Sequence, residues 1–272
     1  MAKVAPDPSD GLPAMEAQEW AADKHAALRR YLDISHAARR KFLMAGGAAY
    51  FELFSGPGRL FLKGTNQFID GSPLVAHLEA TRTRTNFTNI YLADEQQTFC
   101  SAVETRLKRL GASPTTHPLR SEPAAKRIAK QLRPDALNVG FLDPYNLGDL
   151  PLSIFETFAP LQRIDPLVHV SAMDLARALP GSMKAKSAPL DRFAPGWRDA
   201  VSGLQAGVEA RGRIIEYWLG RIRALGFKDA RVWNLIRGPN NQPLYWLVLV
   251  AKHELATRFW DEISKPPQTS LF

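Results

Sequence analysis

The sequence predicts an α/β fold: a doubly wound, Rossmann-like sheet, mostly parallel with a C-terminal antiparallel hairpin. Three observations lead there. The stretch Ala49–Arg59 opens as an aromatic, strand-like run, Tyr50 to Phe54, and ends in Ser55-Gly56-Pro57-Gly58, where the chain must turn sharply. Downstream of it, short apolar runs alternate with segments of helical periodicity as far as Ser171. Near the end, two apolar runs flank the turn-rich hexapeptide Gly238-Pro-Asn-Asn-Gln-Pro243, the pattern of an antiparallel hairpin.

Residues 1–13 hold Pro6, Pro8, Gly11 and Pro13 and read as a flexible lead. The single domain is expected over 14–263, with N-terminal helices in 14–46. Its basic residues, Lys24, Arg29, Arg30, Arg39, Arg40 and Lys41, read either as a solvated face or as a patch that meets phosphates. Residues 60–71 read as a long loop in the wall or lid of the site. Ser72 as N-cap and Pro73 at the first helical position then start a helix near 73–82. A second strand, Asn89 onward, ends in Asp94 and Glu95. Helix 99–110, strand 115–119, helix 122–132, strand 137–142, helix 151–159 and strand 167–171 follow. Residues 172–203 are rich in Pro and Gly, with Lys184, Lys186, Arg192 and Arg198 between, and read as an insertion or cap. Leu204–Leu225 carries an apolar stripe at spacings of three, four and seven and ends at Gly226; a last helix spans 255–263, and 264–272 form a tail.

Composition bounds the function. A chain of 272 residues, 45% hydrophobic, can bury a large core. Its net charge of +8 permits nucleic acid or another anionic partner. The one cysteine, Cys100, excludes an internal disulfide and a multi-cysteine metal site. The six histidines show no ligand spacing, so no metal is expected. Apolar runs such as Leu244–Ala251 fall far short of the ~20 residues of a membrane span. The first residues hold no apolar signal core, and a soluble, cytoplasmic protein is expected.

Three predicted strand ends converge on one chemistry. In an open α/β sheet, ligands sit outside the carboxyl ends of the strands. The first strand ends in Gly56-Pro57-Gly58, where a side chain would keep a cofactor from the backbone; an ordinary loop is the other reading. The second ends in Asp94, which can accept both ribose hydroxyls, with Glu95 as its neighbour. The usual spacing from glycine to acid is ~20 residues, and the excess here matches the inserted loop. The fourth ends in Asp143-Pro144-Tyr145-Asn146. A parallel sheet closed by an antiparallel pair is the arrangement of class I S-adenosylmethionine-dependent methyltransferases rather than of dehydrogenases.

The residues Phe-Glu-Leu-Phe-Ser-Gly-Pro-Gly (51–58), Asp-Gly-Ser-Pro-Leu (70–74), Phe-Leu-Asp-Pro-Tyr (141–145), Tyr-Trp-Leu-Val-Leu-Val-Ala-Lys-His (245–253) and Phe-Trp-Asp-Glu-Ile (259–263) resemble the three-Cys-motif partner protein family. That family looks like a bacterial branch of the class I methyltransferases, and the match runs from about Lys24 to the C-terminus. The resemblance implies S-adenosyl-L-methionine as cofactor and a three-Cys-motif protein as partner. Asp143-Pro144-Tyr145 resembles the Asp/Asn-Pro-Pro-Tyr motif of amino-methyltransferases, with one proline fewer and Asn146 after it. On that likeness Asp143 and Tyr145 would position the acceptor, with Pro144 and Asn146 beside it; alternatively Asp143 only ends a strand and caps the next turn. Ser55 is a polar group of the cofactor corner. Glu52 could hold the methionine amino group, or pair with Arg59 or Lys63.

Three functions remain in view: a methyltransferase of nucleic acid, one acting on a small molecule or protein, and a cofactor-binding partner module without turnover. The tail adds one pointer. Gln268-Thr-Ser-Leu-Phe272 resembles the short peptide by which bacterial replication and repair proteins dock on the DNA sliding clamp, with Leu271 and Phe272 as apolar anchors. The alternative is that these two side chains fold back on the domain.

Overall fold

The computed structural model describes residues 3–65, 67–229, 234–238 and 241–264. The fold is α/β, a mostly parallel sheet flanked by helices. The chain forms two compact units, the first running to Leu142 and the second from Asp143 to Ser264.

In the first unit the elements are β1 (Val4–Pro6), β2 (Pro13–Ala17), α1 (Ala21–Ile34), α2 (His36–Leu43), β3 (Ala48–Glu52), β4 (Arg59–Leu62), β5 (Phe68–Asp70), α3 (Ser72–Arg82), β6 (Asn89–Asp94), α4 (Gln97–Arg109), β7 (Thr115–Pro118), α5 (Ser121–Ala129) and β8 (Leu137–Leu142). The strands β8, β3, β6 and β7 lie side by side in that order, all parallel. Every residue of β3 and of β8 is buried, as the continuous apolar runs of a sheet covered on both faces require. Gly140 stands opposite Phe51 in register, and a Cβ there would lie 2.4 Å from the Phe51 ring. The absent side chain makes room for the aromatic one.

A second, smaller sheet in this unit has the order β1-β2-β4-β5. It corrects two expectations. The lead 1–13 was expected to be flexible, yet β1 pairs with β2 and Asp7 between them is 1% exposed. The stretch 60–71 was expected to be a loop, yet β4 and β5 form an antiparallel pair within it, and β2 adds to β4 in parallel. Both strands are too short for a periodic signal, and their anchors are charges: Arg59 donates to Asp7 at 2.7 Å and to Asp70 at 2.8 Å. The helical character of the N-terminal region holds for α1 and α2, but it begins at Ala21, because 13–17 are strand.

The second unit contains a 3-10 turn (Leu147–Asp149), α6 (Leu152–Phe158), β9 (Ile164–Ser171), α7 (Ala172–Lys184), α8 (Leu190–Phe193), α9 (Trp197–Ala200), α10 (Val208–Ala224), β10 (Lys228–Asp229), β11 (Asn234–Arg237), β12 (Pro243–Ala251) and α11 (Glu254–Ile263). β12 is antiparallel to β9 on one side and to β10 and β11 on the other. Its pairing with β11 is the expected C-terminal hairpin; residues 230–233, including the start of the expected strand, lie outside the described residues. Segment 172–203 contains three helices. Ser171 starts α7 by accepting the Asp174 N–H, and the helix runs on through Pro180. The segment read as an insertion or cap is thus helical over much of its length, despite its Pro and Gly content. The stripe of α10 buries Ile214, Ile215, Trp218, Leu219 and Ile222; Val208, at the helix start, is exposed. The tail, with its clamp-like peptide, lies outside the described residues.

Candidate functional site

In the first unit, β3 and β6 run parallel and deliver the Gly-rich turn and Asp94 to the same edge of the sheet. The join between them is direct. Gly56 N–H donates to Asp94 Oδ2 at 3.1 Å, and Gln96 N–H donates to Oδ1 at 2.9 Å. Ser55 is also tied across, its N–H donating to the Ala93 carbonyl at 2.9 Å. Asp94 is half-buried, and burial pushes its carboxyl above the ordinary aspartate value despite the two backbone donors, with Glu95 adding in the same direction. A carboxylate has about four acceptor sites, and the two backbone donors leave the rest for a ligand. Glu95 is exposed and faces Arg120 at 3.3 Å.

The two glycines of the turn have different reasons. Both have positive φ, 56° at Gly56 and 83° at Gly58. A Cβ on Gly58 would strike Leu74 at 2.8 Å and Val103 at 3.0 Å, so Gly58 is small in order to pack on α3 and α4. A Cβ on Gly56 would only touch Met15 at 3.7 Å, and Gly56 is required by conformation. Pro57 is buried, and its carbonyl accepts from Arg106 at 2.7 Å, which fixes the turn to α4.

Glu52 ends β3 with no exposed surface. Tyr50 OH donates to its Oε1 at 2.5 Å and Ser72 Oγ to its Oε2 at 2.8 Å. Burial first, and the Glu52 charge second, raise the Tyr50 phenol well above its usual value, so it stays a donor. The expected alternative partner Arg59 is committed to Asp7 and Asp70. Ser72 is not the N-cap of α3; Gly71 is, and the Ser72 hydroxyl serves Glu52 instead. Gln96, bonded to Asp94, also lines a cavity of about 600 Å³ whose walls include Val4, Leu12, Pro13, Phe99 and Ala102. Cys100 is buried, and burial pushes its thiol up to about 11, which makes it inert as a nucleophile.

In the second unit, Asp143 Oδ1 lies 3.1 Å from Nδ1 of His169. His169 sits within β9, buried, with its ring 4.7 Å from that of Tyr245 on β12. The sequence did not single out this pair, and His169 read as a surface or locally satisfied histidine. The available signal was one imidazole inside the apolar run Leu167-Val-His-Val-Ser171. Tyr145, by contrast, is 72% exposed. Pro144 is buried, and Asn146 Nδ2 donates to Asp149 Oδ2 at 2.5 Å. Leu147 N–H is held by Asp174 at the start of α7, so the segment after Asp143 is fixed from two sides.

Against the 3-10 turn packs α8, and the two border an open hollow of about 530 Å³ lined by Asn146, Gly148, Asp149, Ser187, Pro189 and Arg192 among others. Asp191 secures its outer wall by accepting from Ala188 N–H at 2.7 Å, from Trp197 Nε1 at 2.8 Å and from Arg198. Of the expected basic patches, Arg39 is withdrawn: it is 0% exposed, with Thr85, Thr83, Ser35 and the Leu32 carbonyl around its guanidinium. Among the described residues no group of three or more His, Cys, Asp or Glu could hold a metal ion, and no helix is long and apolar enough to cross a membrane.

No protein-family model and no curated protein matches the chain. Solved structures do. Protein LPL1258 from Legionella pneumophila str. Philadelphia 1, described under family-model DUF519, aligns with a TM-score of 0.53 at 11% identity, over 88% of this chain and 90% of that one. An rRNA methylase from Streptococcus thermophilus aligns at 0.39 and 13% identity, over 81% and 95%. Cofactor-bound Rv0187 from MTB aligns at 0.39 and 13%, over 84% and 90%. The first of these shares the fold with this chain, and at such identity the likeness is one of fold alone. The fold is Rossmann-like: parallel strands β8, β3, β6 and β7, and a late strand, β12, set antiparallel between β9 and the β10–β11 side.

Proposed function

We propose that this chain is an S-adenosylmethionine-dependent methyltransferase that acts on a nucleic acid. The observation that supports it most is the hydrogen bond from Gly56 N–H to Asp94. It couples the glycine turn to the one partly buried carboxylate at the neighbouring strand end, the arrangement a ribose-bearing cofactor needs. Asp94 would accept the ribose hydroxyls, with Ser55 and the Gly56–Gly58 turn beside it. The apolar cavity that begins at Gln96 suits a flat heterocycle such as adenine. Glu52 would act at one remove, by fixing Tyr50 and Ser72 under the turn.

The cofactor supplies an activated methyl group on a sulfonium. The protein then has little covalent work: it must hold the acceptor in line, exclude water and accept a proton. In the second unit, Asp143 backed by His169 is the pair that would hold or take that proton, and the exposed ring of Tyr145 would stack on a base. A nucleic-acid acceptor is supported by the net charge of +8 and by exposed cations. Membership of the three-Cys-motif partner family, a three-Cys-motif partner and docking of Gln268–Phe272 on the sliding clamp are parts of the same proposal and rest on sequence alone; loss of clamp co-purification on truncation after Lys265 tests the last.

The central test has two arms. Calorimetry with S-adenosylmethionine and S-adenosylhomocysteine measures cofactor binding. Transfer of a labelled methyl group to RNA, DNA and protein fractions measures the acceptor. No cofactor binding by folded protein sinks the reading; label in protein or small molecules alone moves the acceptor to another class.

A further inference from the structure

We propose that the cavity between the Leu147–Asp149 turn and α8 seats one nucleotide of a single-stranded nucleic acid, the one flanking the nucleotide to be methylated. This rests on the reading of a nucleic-acid acceptor given above. At about 530 Å³ the cavity falls within the range of small-ligand pockets. Its floor is prepared for a base. Asn146 gives its Nδ2 to Asp149, which orients the side chain and presents Oδ1 as an acceptor. The Ser187 hydroxyl can donate or accept, and Pro189 offers an apolar face. A Cβ on Gly148 would come within 3.0 Å of both Asn146 Oδ1 and Pro189, so any other residue there would disturb this floor.

Asp149, Asp191 and Arg192 all line the wall, and Asp191 is already engaged by Ala188 N–H, Trp197 Nε1 and Arg198. In this seat the base edge meets Asn146 and Ser187, and the phosphates lie outside, where Lys184 and Lys186 are exposed and make no ion pair among the described residues. Tyr145, directly before Asn146 in the chain and 72% exposed, is available to the neighbouring base. A duplex keeps its bases stacked and out of reach of such a cavity, so the ligand is a single strand, or a loop of a folded one. The shared chemistry, a splayed base between two phosphates, is met by RNA and by DNA alike.

The experiment uses full-length protein and labelled oligonucleotides of roughly a dozen residues: single-stranded RNA, single-stranded DNA and the matching duplex, followed by fluorescence anisotropy over a range of salt. Photo-crosslinking with peptide mapping locates where the strand lies. We expect single strands to bind at least about tenfold more tightly than duplex, with crosslinks within 145–149 and 184–192. The pair Lys184→Glu and Lys186→Glu should weaken binding by about tenfold or more and lower the salt slope by roughly 0.7 for each phosphate no longer neutralised. Ala188→Trp, which fills the cavity, should weaken binding several-fold and leave the slope unchanged. The RNA and DNA arms separate the two sources. Equal affinity for duplex, crosslinks confined to other segments, or parental affinity in the folded variants would overturn the proposal. Calorimetry with S-adenosylmethionine on the same samples keeps the two readings apart. Cofactor binding without oligonucleotide binding removes the nucleotide seat and leaves a methyltransferase of another acceptor. Oligonucleotide binding at this cavity without cofactor binding leaves the seat and removes the methyltransferase.

Discussion

The Asp143 carboxylate stands 3.1 Å from His169 Nδ1, and this contact joins the residue that follows β8 to the interior of β9. The imidazole is in turn held against Tyr245. A carboxylate beside a buried imidazole has a second group to share a proton with. In folded protein, Asp143→Asn and His169→Gln should each lower the methyl-transfer rate, by about 10²-fold for the proton-accepting member, and leave S-adenosylmethionine affinity near the parental value. A double-mutant cycle on stability should show a coupling of about 0.5–3 kcal/mol. Strict additivity in both stability and rate would mean that the two side chains are neighbours without a shared task.

Asp94 carries a pH prediction. Its carboxyl is raised by burial, so the folded chain protonates it at a higher pH than an ordinary aspartate. If ionised Asp94 accepts the ribose hydroxyls, cofactor affinity should start to fall on acidification while other carboxylates remain charged. For stability the sign is opposite: a raised carboxyl favours the fold when protonated, and that contribution is lost as pH rises through the folded value. Calorimetry over falling pH, kept above the ordinary aspartate value, should therefore show affinity dropping while melting temperature does not. In Asp94→Ala, binding should be weaker by about 1–3 kcal/mol and lose this pH dependence. Unchanged affinity in the variant would remove Asp94 from the cofactor site.

What was legible in the sequence follows from burial. β3 and β8 are apolar throughout because both faces are covered, and such runs announce themselves; the helices α4 and α10 show a one-sided stripe for the same reason. The small sheet was not legible. β1 has three residues, β5 has three, and both lie among prolines, glycines and charges. Their order comes from Arg59 and Arg106, whose partners are distant in sequence. The candidate site divides likewise. The place of Asp94 beside the glycine turn was legible because Asp94 ends a strand, whereas the contact of His169 with Asp143 was not, because the two are 26 positions apart in sequence and only the fold brings them together.

Arg39 shows why a run of basic residues is a poor guide to a phosphate surface. Its guanidinium is buried with no ion pair among the described residues, and burial lowers its pKa to about 10. Its donors go to Thr85 O at 3.0 Å, to Leu32 O at 3.1 Å and to the hydroxyls of Thr83 and Thr85, and its carbon lies 5.1 Å from the centre of the Phe87 ring. Arg39→Met would leave those carbonyls without a donor and should destabilise the first unit by about 1–3 kcal/mol in urea unfolding. The same variant, where folded, should bind oligonucleotides as the parent does. Weaker binding with intact stability would return Arg39 to the residues that meet phosphates.

The N-terminal hairpin should come off in acid as a separate event. Asp7 is buried between β1 and β2; burial raises its carboxyl, but the Ser9 hydroxyl and backbone and the Arg59 guanidinium outweigh it and bring the value down to about 2. Asp10 is lowered chiefly by Arg106, which reaches it with Nε at 2.7 Å and Nη2 at 2.8 Å. Both carboxyls have folded values below the unfolded one, so the stability they contribute is present above the ordinary aspartate value and is lost as pH falls from about 4 towards 2. Arg106 also donates to the carbonyls of Pro13, Leu12 and Pro57, so the hairpin and the glycine turn share one cation. Pepsin cleavage within residues 3–17 should therefore rise across that interval, and Asp7→Asn should remove the part of the rise that titrates with Asp7. Removing the cation is the harsher change: Arg106→Met takes a donor from three carbonyls and leaves the Asp10 carboxylate with the Leu12 N–H and Arg109 at 3.8 Å, and should cost about 3 kcal/mol. Because the Pro57 carbonyl is one of the three, this variant should also weaken S-adenosylmethionine binding. If the hairpin is cleaved no faster at pH 2 than at pH 5, or if Arg106→Met binds the cofactor as the parent does, the hairpin and the turn are not joined in this way.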